Sequence, residues 1–161
     1  MKGAVCGLAL LTCLFLSAVP ADAQYGRDQH KALRGLSRVL VIFSEDDHKT
    51  DAATFTQMRD SVLSALTRSG LRVARDSADL DMKRDGILDV SLFLGTGVEQ
   101  VVIDLEQSVV LARTKEPLQL VTWYYEAGHP SADWRSDAPA LLMKSVASFI
   151  SDWRAANGAI R

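Results

Sequence analysis

The chain has 161 residues, 48% hydrophobic and 24% charged, with a formal net charge of −2. Opposite charges are interspersed, as in RVARDSADLDMKRD, so no basic stripe exists for nucleic acid or anionic lipid. Both cysteines, Cys6 and Cys13, fall in the apolar amino-terminal stretch, which leaves the rest of the chain without disulfides, thiolate metal sites or a cysteine nucleophile.

Lys2 followed by GAVCGLALLTCLFLSAV and then PADA has the layout of a secretory signal. The small residues Ala21 and Ala23 flank Asp22 as signal peptidase requires, which places the cut between Ala23 and Gln24. The apolar run is near the lower length limit for a membrane span, and the proline after it favours removal. Cys13 follows Thr12 rather than a small residue, and Cys6 is too early, so lipidation is not indicated. Loss of Lys2 and Asp22 removes one charge of each sign. The expected product is a periplasmic or secreted protein with no remaining span.

Residues 24–37, QYGRDQHKALRGLS, are polar with two glycines and read as a flexible segment that orders only by docking. Residues 38–158 are expected to form a single α+β domain, long enough to bury about two-thirds of its unfolded surface. RVLVIF at 38–43 is apolar on both sides, which predicts a central strand buried on both faces. From Asp51 the period becomes helical, with Phe55, Met58, Val62, Ala65 and Leu66 on one stripe and Gly70 at the stop. LRVAR at 71–75 is a short strand, and 76–85 is a polar connection with room for one helical turn. ILDVSLFL at 87–94, EQVVIDLEQSVVLAR at 99–113 and LQLVTWYYE at 118–126 are three longer strands joined by short turns, hence hairpins. In the middle one, Val101, Ile103, Leu105, Val109 and Leu111 face inward. Gln100, Asp104, Glu106 and Ser108 make the other side wet, with Val102 and Val110 hinting at partial cover. Residues 127–139 read as a loop. A last helix runs from about Ala138 to Ala156, with Leu142, Val146, Phe149, Ile150 and Trp153 on its apolar stripe and Asn157-Gly158 at its end.

The order β-α-β-β-β-β-α predicts a two-layer α+β fold: a mixed, mostly antiparallel sheet with both helices on one face. The first helix returns the chain parallel to its start, so a right-handed crossover is expected.

Two stretches have the residue types for a site. In FSEDDHKTD, Asp46, Asp47 and His48 offer metal-ligand atoms, the basis of a metal-dependent hydrolase reading for 45–51. Consecutive side chains diverge, however, and neither the alternating acids with a glycine of a calcium loop nor a second spaced histidine is present. The plainer reading is a helix entrance in which Thr50 or Asp51 accepts from free amides of the first turn. In WYYEAGHPSADWR, the aromatic and polar residues Trp123, Tyr125, His129 and Trp134 suit a sugar or peptide. Here too alternation offers a plain reading, with Trp123 and Tyr125 in the core and Tyr124 outside. Asp104 and Glu106 form a carboxylate pair on the wet strand face, with no sequence neighbours to desolvate them. No nucleophile elbow and no phosphate loop occurs.

RVLVIF, a helix ending SALTRSGLRV, a DV-x-L-x-L strand, a long following strand and a closing helix together resemble the amino-terminal domain of TolB-type periplasmic proteins. They also resemble small secreted or lipid-anchored bacterial proteins of unassigned role. The resemblance spans about residues 37–157 and implies a non-catalytic envelope adaptor without a cofactor. It carries over no functional residue, and the TolB propeller and lipid-anchor cysteine have no counterpart. The sequence therefore points to a small exported non-enzymatic protein that binds an envelope component or protein partner, as monomer or homodimer.

Overall fold

The computed structural model describes residues 29–46, 50–94, 99–130 and 134–158. The expected cleavage point at Ala23 and Gln24 lies outside the described residues, as do Asp47 and His48.

The elements are β1 (Arg38–Asp46), α1 (Ala52–Ser69), β2 (Arg72–Val73), a 3₁₀ turn (Ser77–Asp79), β3 (Asp85–Leu94), β4 (Glu99–Val110), β5 (Pro117–His129) and α2 (Trp134–Asn157). They build an α+β fold on one mixed sheet of order β2-β1-β3-β4-β5. β1 runs parallel to β2 on one side and to β3 on the other. β3-β4-β5 are consecutive antiparallel hairpins, as the short turns predict. The step from β2 to β3 is not a hairpin: the chain passes from one side of β1 to the other, so β3 is central and β1 lies second.

α1 starts where its cap starts. Asp51 Oδ1 accepts from the Ala53 and Thr54 amides at 3.1 and 3.0 Å, and Oδ2 accepts from Thr54 Oγ1 at 2.7 Å. The Thr54 amide and hydroxyl, foremost among these bonds, hold the Asp51 carboxyl below the usual aspartate range. The helix stops at Gly70, whose φ of 97° is free to glycine and whose N–H donates to Thr67 O.

Side-chain alternation divides the sheet into a buried face and a face left uncovered among the described residues. The buried side carries Val39, Leu88, Val90, Leu92, Leu94, Val101, Ile103, Leu105 and Trp123. These cluster with Met58, Val62 and Leu66 of α1 and Leu142, Val146, Phe149 and Trp153 of α2. The expected burial of β1 on both faces does not occur. Val39 is buried, but Leu40 is half-buried and Ile42 is 44% exposed on the opposite face. β4 also differs from expectation. Val101, Ile103 and Leu105 are buried, whereas Val109 is half-buried and Leu111 is exposed, because the β4–β5 hairpin extends beyond the core cluster.

Both ends of the 127–139 loop prediction shrink. β5 continues to His129 along β4, and α2 already begins at Trp134. Pro139 therefore lies inside the helix, where its missing N–H gives a local signal for a start, while Ala138 and Leu142 are buried in the core.

Residues 24–37, expected to be flexible unless they dock, are docked from residue 29 onward. A helical turn at 29–32 leads to Leu33 and Leu36, both buried in the core cluster. Trp153 Nε1 donates to Leu36 O at 2.9 Å, Asn157 Nδ2 donates to Leu33 O at 2.8 Å, and the Gly35 amide donates to Asn157 Oδ1 at 2.7 Å. The end of α2 thus satisfies backbone groups that burial would otherwise orphan. Beneath them Asp85, a buried carboxylate, accepts from Ser37 Oγ and from the Asp81 amide, each at 2.9 Å.

Leu33→Ala removes a fully buried side chain and is expected to cost about 2–5 kcal/mol of unfolding free energy. Ile42→Ala, on the uncovered face, should cost clearly less; urea unfolding of the two variants measures the difference.

Candidate functional site

Of the aromatic residues singled out in the sequence, Trp123 and Tyr125 pack together over α2. Trp123 is 1% exposed, packed edge-on against Phe149 at 5.0 Å between centroids and stacked with Tyr125 at 6.1 Å. Its indole N–H donates to Asp152 Oδ2 at 3.0 Å, so the polar end is also occupied. Tyr125 is half-buried beside it. His129 ends β5 opposite Glu99, and Trp134 opens α2; the side chains of His129 and Trp134 lie outside the described residues.

The acidic stretch after β1 is partly strand. Ser44, Glu45 and Asp46 pair with Ser91, Leu92 and Phe93, extending β1 past its expected end because the β3 ladder continues. Glu45 Oε1 accepts from the Thr50 amide and hydroxyl, both at 2.6 Å, and Asp51 is the cap already described. These two acids hold the entrance of α1 in place. Among the described residues no group of three or more His, Cys, Asp or Glu is arranged to hold a metal ion. One shallow groove between the helices is lined by Thr54, Gln57, Met58, Ser61, Pro139, Leu142 and Met143 and holds no ionisable group, while a second, further along, has Arg68 and Arg154 at its rim.

What the structure does assemble is the uncovered face. The pairing register places Ile42 of β1, Phe93 of β3, Val102 of β4 and Tyr124 of β5 on it. Ile42, Phe93 and Tyr124 are 44%, 38% and 39% exposed. Asp89, Asp104 and Tyr124 lie directly opposite one another across β3, β4 and β5, with Glu106 and Glu126 in adjoining rows. Among the described residues, the cations on this face are Arg38 and Arg72 at its far end; β3, β4 and β5 contribute none.

The polar groups on this face are tied to each other. Ser91 Oγ donates to Asp89 Oδ1 at 2.8 Å and meets Ser44 Oγ at 2.9 Å. Gln100 Nε2 donates to Glu126 Oε1 at 2.7 Å, and the Tyr124 hydroxyl donates to Glu126 Oε2. That bond to Glu126 pushes the Tyr124 phenol above its ordinary value. Asp104 is raised too, first by partial burial and then by the charges of Asp89 and Glu106. The desolvating surroundings of Asp104 come from the sheet. Its neighbours in sequence do not provide them, but its neighbours across the strands do. Arrayed this way, acids and apolar groups can accept a cation-bearing apolar surface.

No family model matches the chain, and no curated protein matches it. Solved structures similar to it include the PelC dodecamer from Paraburkholderia phytofirmans, at 16% identity and a TM-score of 0.41 over 70% of this chain and 86% of that one. A hypothetical protein from Chlamydia trachomatis aligns at 8% identity and a TM-score of 0.43 over 74% and 99%. A lipoprotein from Neisseria meningitidis aligns at 14% and 0.32 over 72% and 99%. These are small bacterial proteins, and similarity of that degree assigns no role to this chain. No described helix is long and apolar enough to cross a membrane.

Asp104→Asn removes a like-charge opposition. Because the native carboxyl titrates above its unfolded value, ionised Asp104 weakens the fold increasingly as pH rises between the two values. The variant should therefore be more stable near neutrality by a few tenths to about 1 kcal/mol, the scale of a cross-strand pair, and show no gain in acid; thermal melts across pH check this. Asp152→Ala leaves the buried Trp123 N–H without its acceptor and is expected to cost about 1–3 kcal/mol. A smaller cost of Asp152→Ala in a Trp123→Phe background than in the wild type, read by a double-mutant cycle, identifies the orphaned donor as its source.

Proposed function

We propose that this chain is a small exported, non-enzymatic protein that binds a protein partner of the cell envelope through the uncovered face of its sheet. The observation that carries the reading is the pattern across β3, β4 and β5. Exposed Phe93 and Tyr124 flank the opposed carboxylates Asp89 and Asp104, and no Lys or Arg of those strands neutralises them. A solvated sheet face is normally polar at alternate positions, and an apolar group of this kind rimmed by acids suits an interface. The partner surface that fits is apolar with Lys or Arg set among the apolar groups. Each such cation would offset repulsion already present in the free protein, so charge here gives selectivity and faster encounter rather than large affinity. Export rests on the amino-terminal signal pattern.

A photo-crosslinking amino acid placed at Phe93 in the exporting cell tests this. The expected result is one discrete heavier species that disappears when Asp104→Lys is added, with the fold intact by circular dichroism. The same probe at Gln57, on the solvent side of α1, should trap nothing. Equal trapping at both positions, or a Phe93 adduct indifferent to the charge reversal, would overturn the reading.

A further inference from the structure

β5 is the edge of the sheet, and its pairing among the described residues is with β4 alone. Along Pro117–His129 it carries one carboxylate, Glu126, and no Lys or Arg. Long edges are usually blunted by charge. Here the end nearest the β4–β5 turn is instead apolar: Leu118, Leu120 and Val121 are 41%, 46% and 46% exposed, and Val110 and Leu111 at the end of β4 are 63% and 37% exposed.

The backbone shows which groups point outward. The Leu111 amide donates to Glu116 O at 3.0 Å, while the Leu111 carbonyl accepts from the Lys115 amide at 2.8 Å, so 111 and 116 stand at a bonded position of the ladder where it closes into the turn. Antiparallel ladders alternate bonded and non-bonded pairs. With the register Val109↔Leu118 and Gln107↔Leu120, residues 118 and 120 bond inward to β4. Gln119 and Val121 then direct N–H and C=O away from the sheet, and Pro117 directs its C=O. The regular stretch is bounded by the turn at one end and by the irregularity opposite Leu105 and Glu106 at the other, where Thr122 has no register partner. Its midpoint is Gln119.

We infer that two copies of this chain pair antiparallel through residues 117–121 of β5, with the twofold axis at Gln119. Side chains meet on matching faces in this register. Leu118 stands opposite the second copy's Leu120, and Pro117 opposite its Val121. Gln119 exchanges two backbone bonds with itself, and each Val121 amide donates to the other copy's Pro117 carbonyl, which does not require the N–H that proline lacks. The same register carries the basic turn residues Arg113 and Lys115 of one copy alongside the Glu126 end of β5 in the other, so charge favours the arrangement. A twofold contact of this kind closes on itself. It uses a different surface from the one in the proposed function, and either can fail alone.

The test uses the exported protein without its signal, which has no cysteine of its own on the expected cleavage. Gln119→Cys places two sulfurs at the axis, where bonded antiparallel partners lie about 5.5 Å apart between Cα atoms, within disulfide reach. Mild oxidation should convert this variant almost wholly to a covalent dimer, while Gln57→Cys stays monomeric. Wild type should sediment as a concentration-dependent dimer, and Val121→Pro, which deletes an amide that the single chain does not use, should weaken dimerisation at least tenfold with an unchanged far-ultraviolet spectrum. A wild type that stays monomeric at the highest concentration reached, a dimer unaffected by Val121→Pro, or equal cross-linking at positions 57 and 119 would each overturn the inference.

Discussion

The contact between α2 and β5 organises this molecule. Phe149, wholly buried, meets Trp123 edge-on, and one turn further along the helix Asp152 accepts the Trp123 indole N–H. Trp153, next in sequence, turns toward the amino-terminal segment and bonds the Leu36 carbonyl. A single stretch of helix therefore clamps the edge strand on one side and the docked segment at 33–36 on the other. Aromatic side chains have the area for this: they bury more apolar surface than any other type, and the indole N–H gives each contact a direction.

Because that clamp draws on one side of the sheet, the other side is left with whatever the strands bring to it. Cross-strand pairing then has consequences that no single strand contains. Asp89 meets Asp104, and Asp104 meets Tyr124, although fifteen and twenty residues separate them along the chain. The opposition raises the native Asp104 carboxyl and costs stability, whereas Tyr124, Gln100 and Glu126 form a satisfied group next to it. The exposed Ile42 and Phe93 on this face are poorly suited to water, and its acids, though well hydrated, repel one another.

The hairpin that projects past the core follows the same logic. β4 keeps its alternation up to Val110, and the extra residue Thr122 in β5 brings Leu118 and Leu120 to the side of Trp123, but the layer that buries Leu105 and Trp123 does not extend to them. The register decides which side they face, and the reach of the helices decides that they stay exposed.

Much of the architecture is legible from local chemistry. The period change at Asp51, the glycine at 70, the 3₁₀ turn at Ser77–Asp79, the hairpins of β3–β5 and the inward set Val101, Ile103 and Leu105 depend on neighbours a few residues away, and each is found where the residues indicate. The alternation that puts Trp123 inside and Tyr124 outside is also a local property. What the tertiary structure decided is everything that depends on coverage and on partners distant in sequence. That includes the exposure of Ile42 in a strand greasy on both sides, the docking of Leu33 against the end of α2, the path of the chain across β1, and the alignment of carboxylates on adjacent strands. Hydrophobic period identifies which side of an element is apolar; it carries no information on whether a second layer is there to cover it.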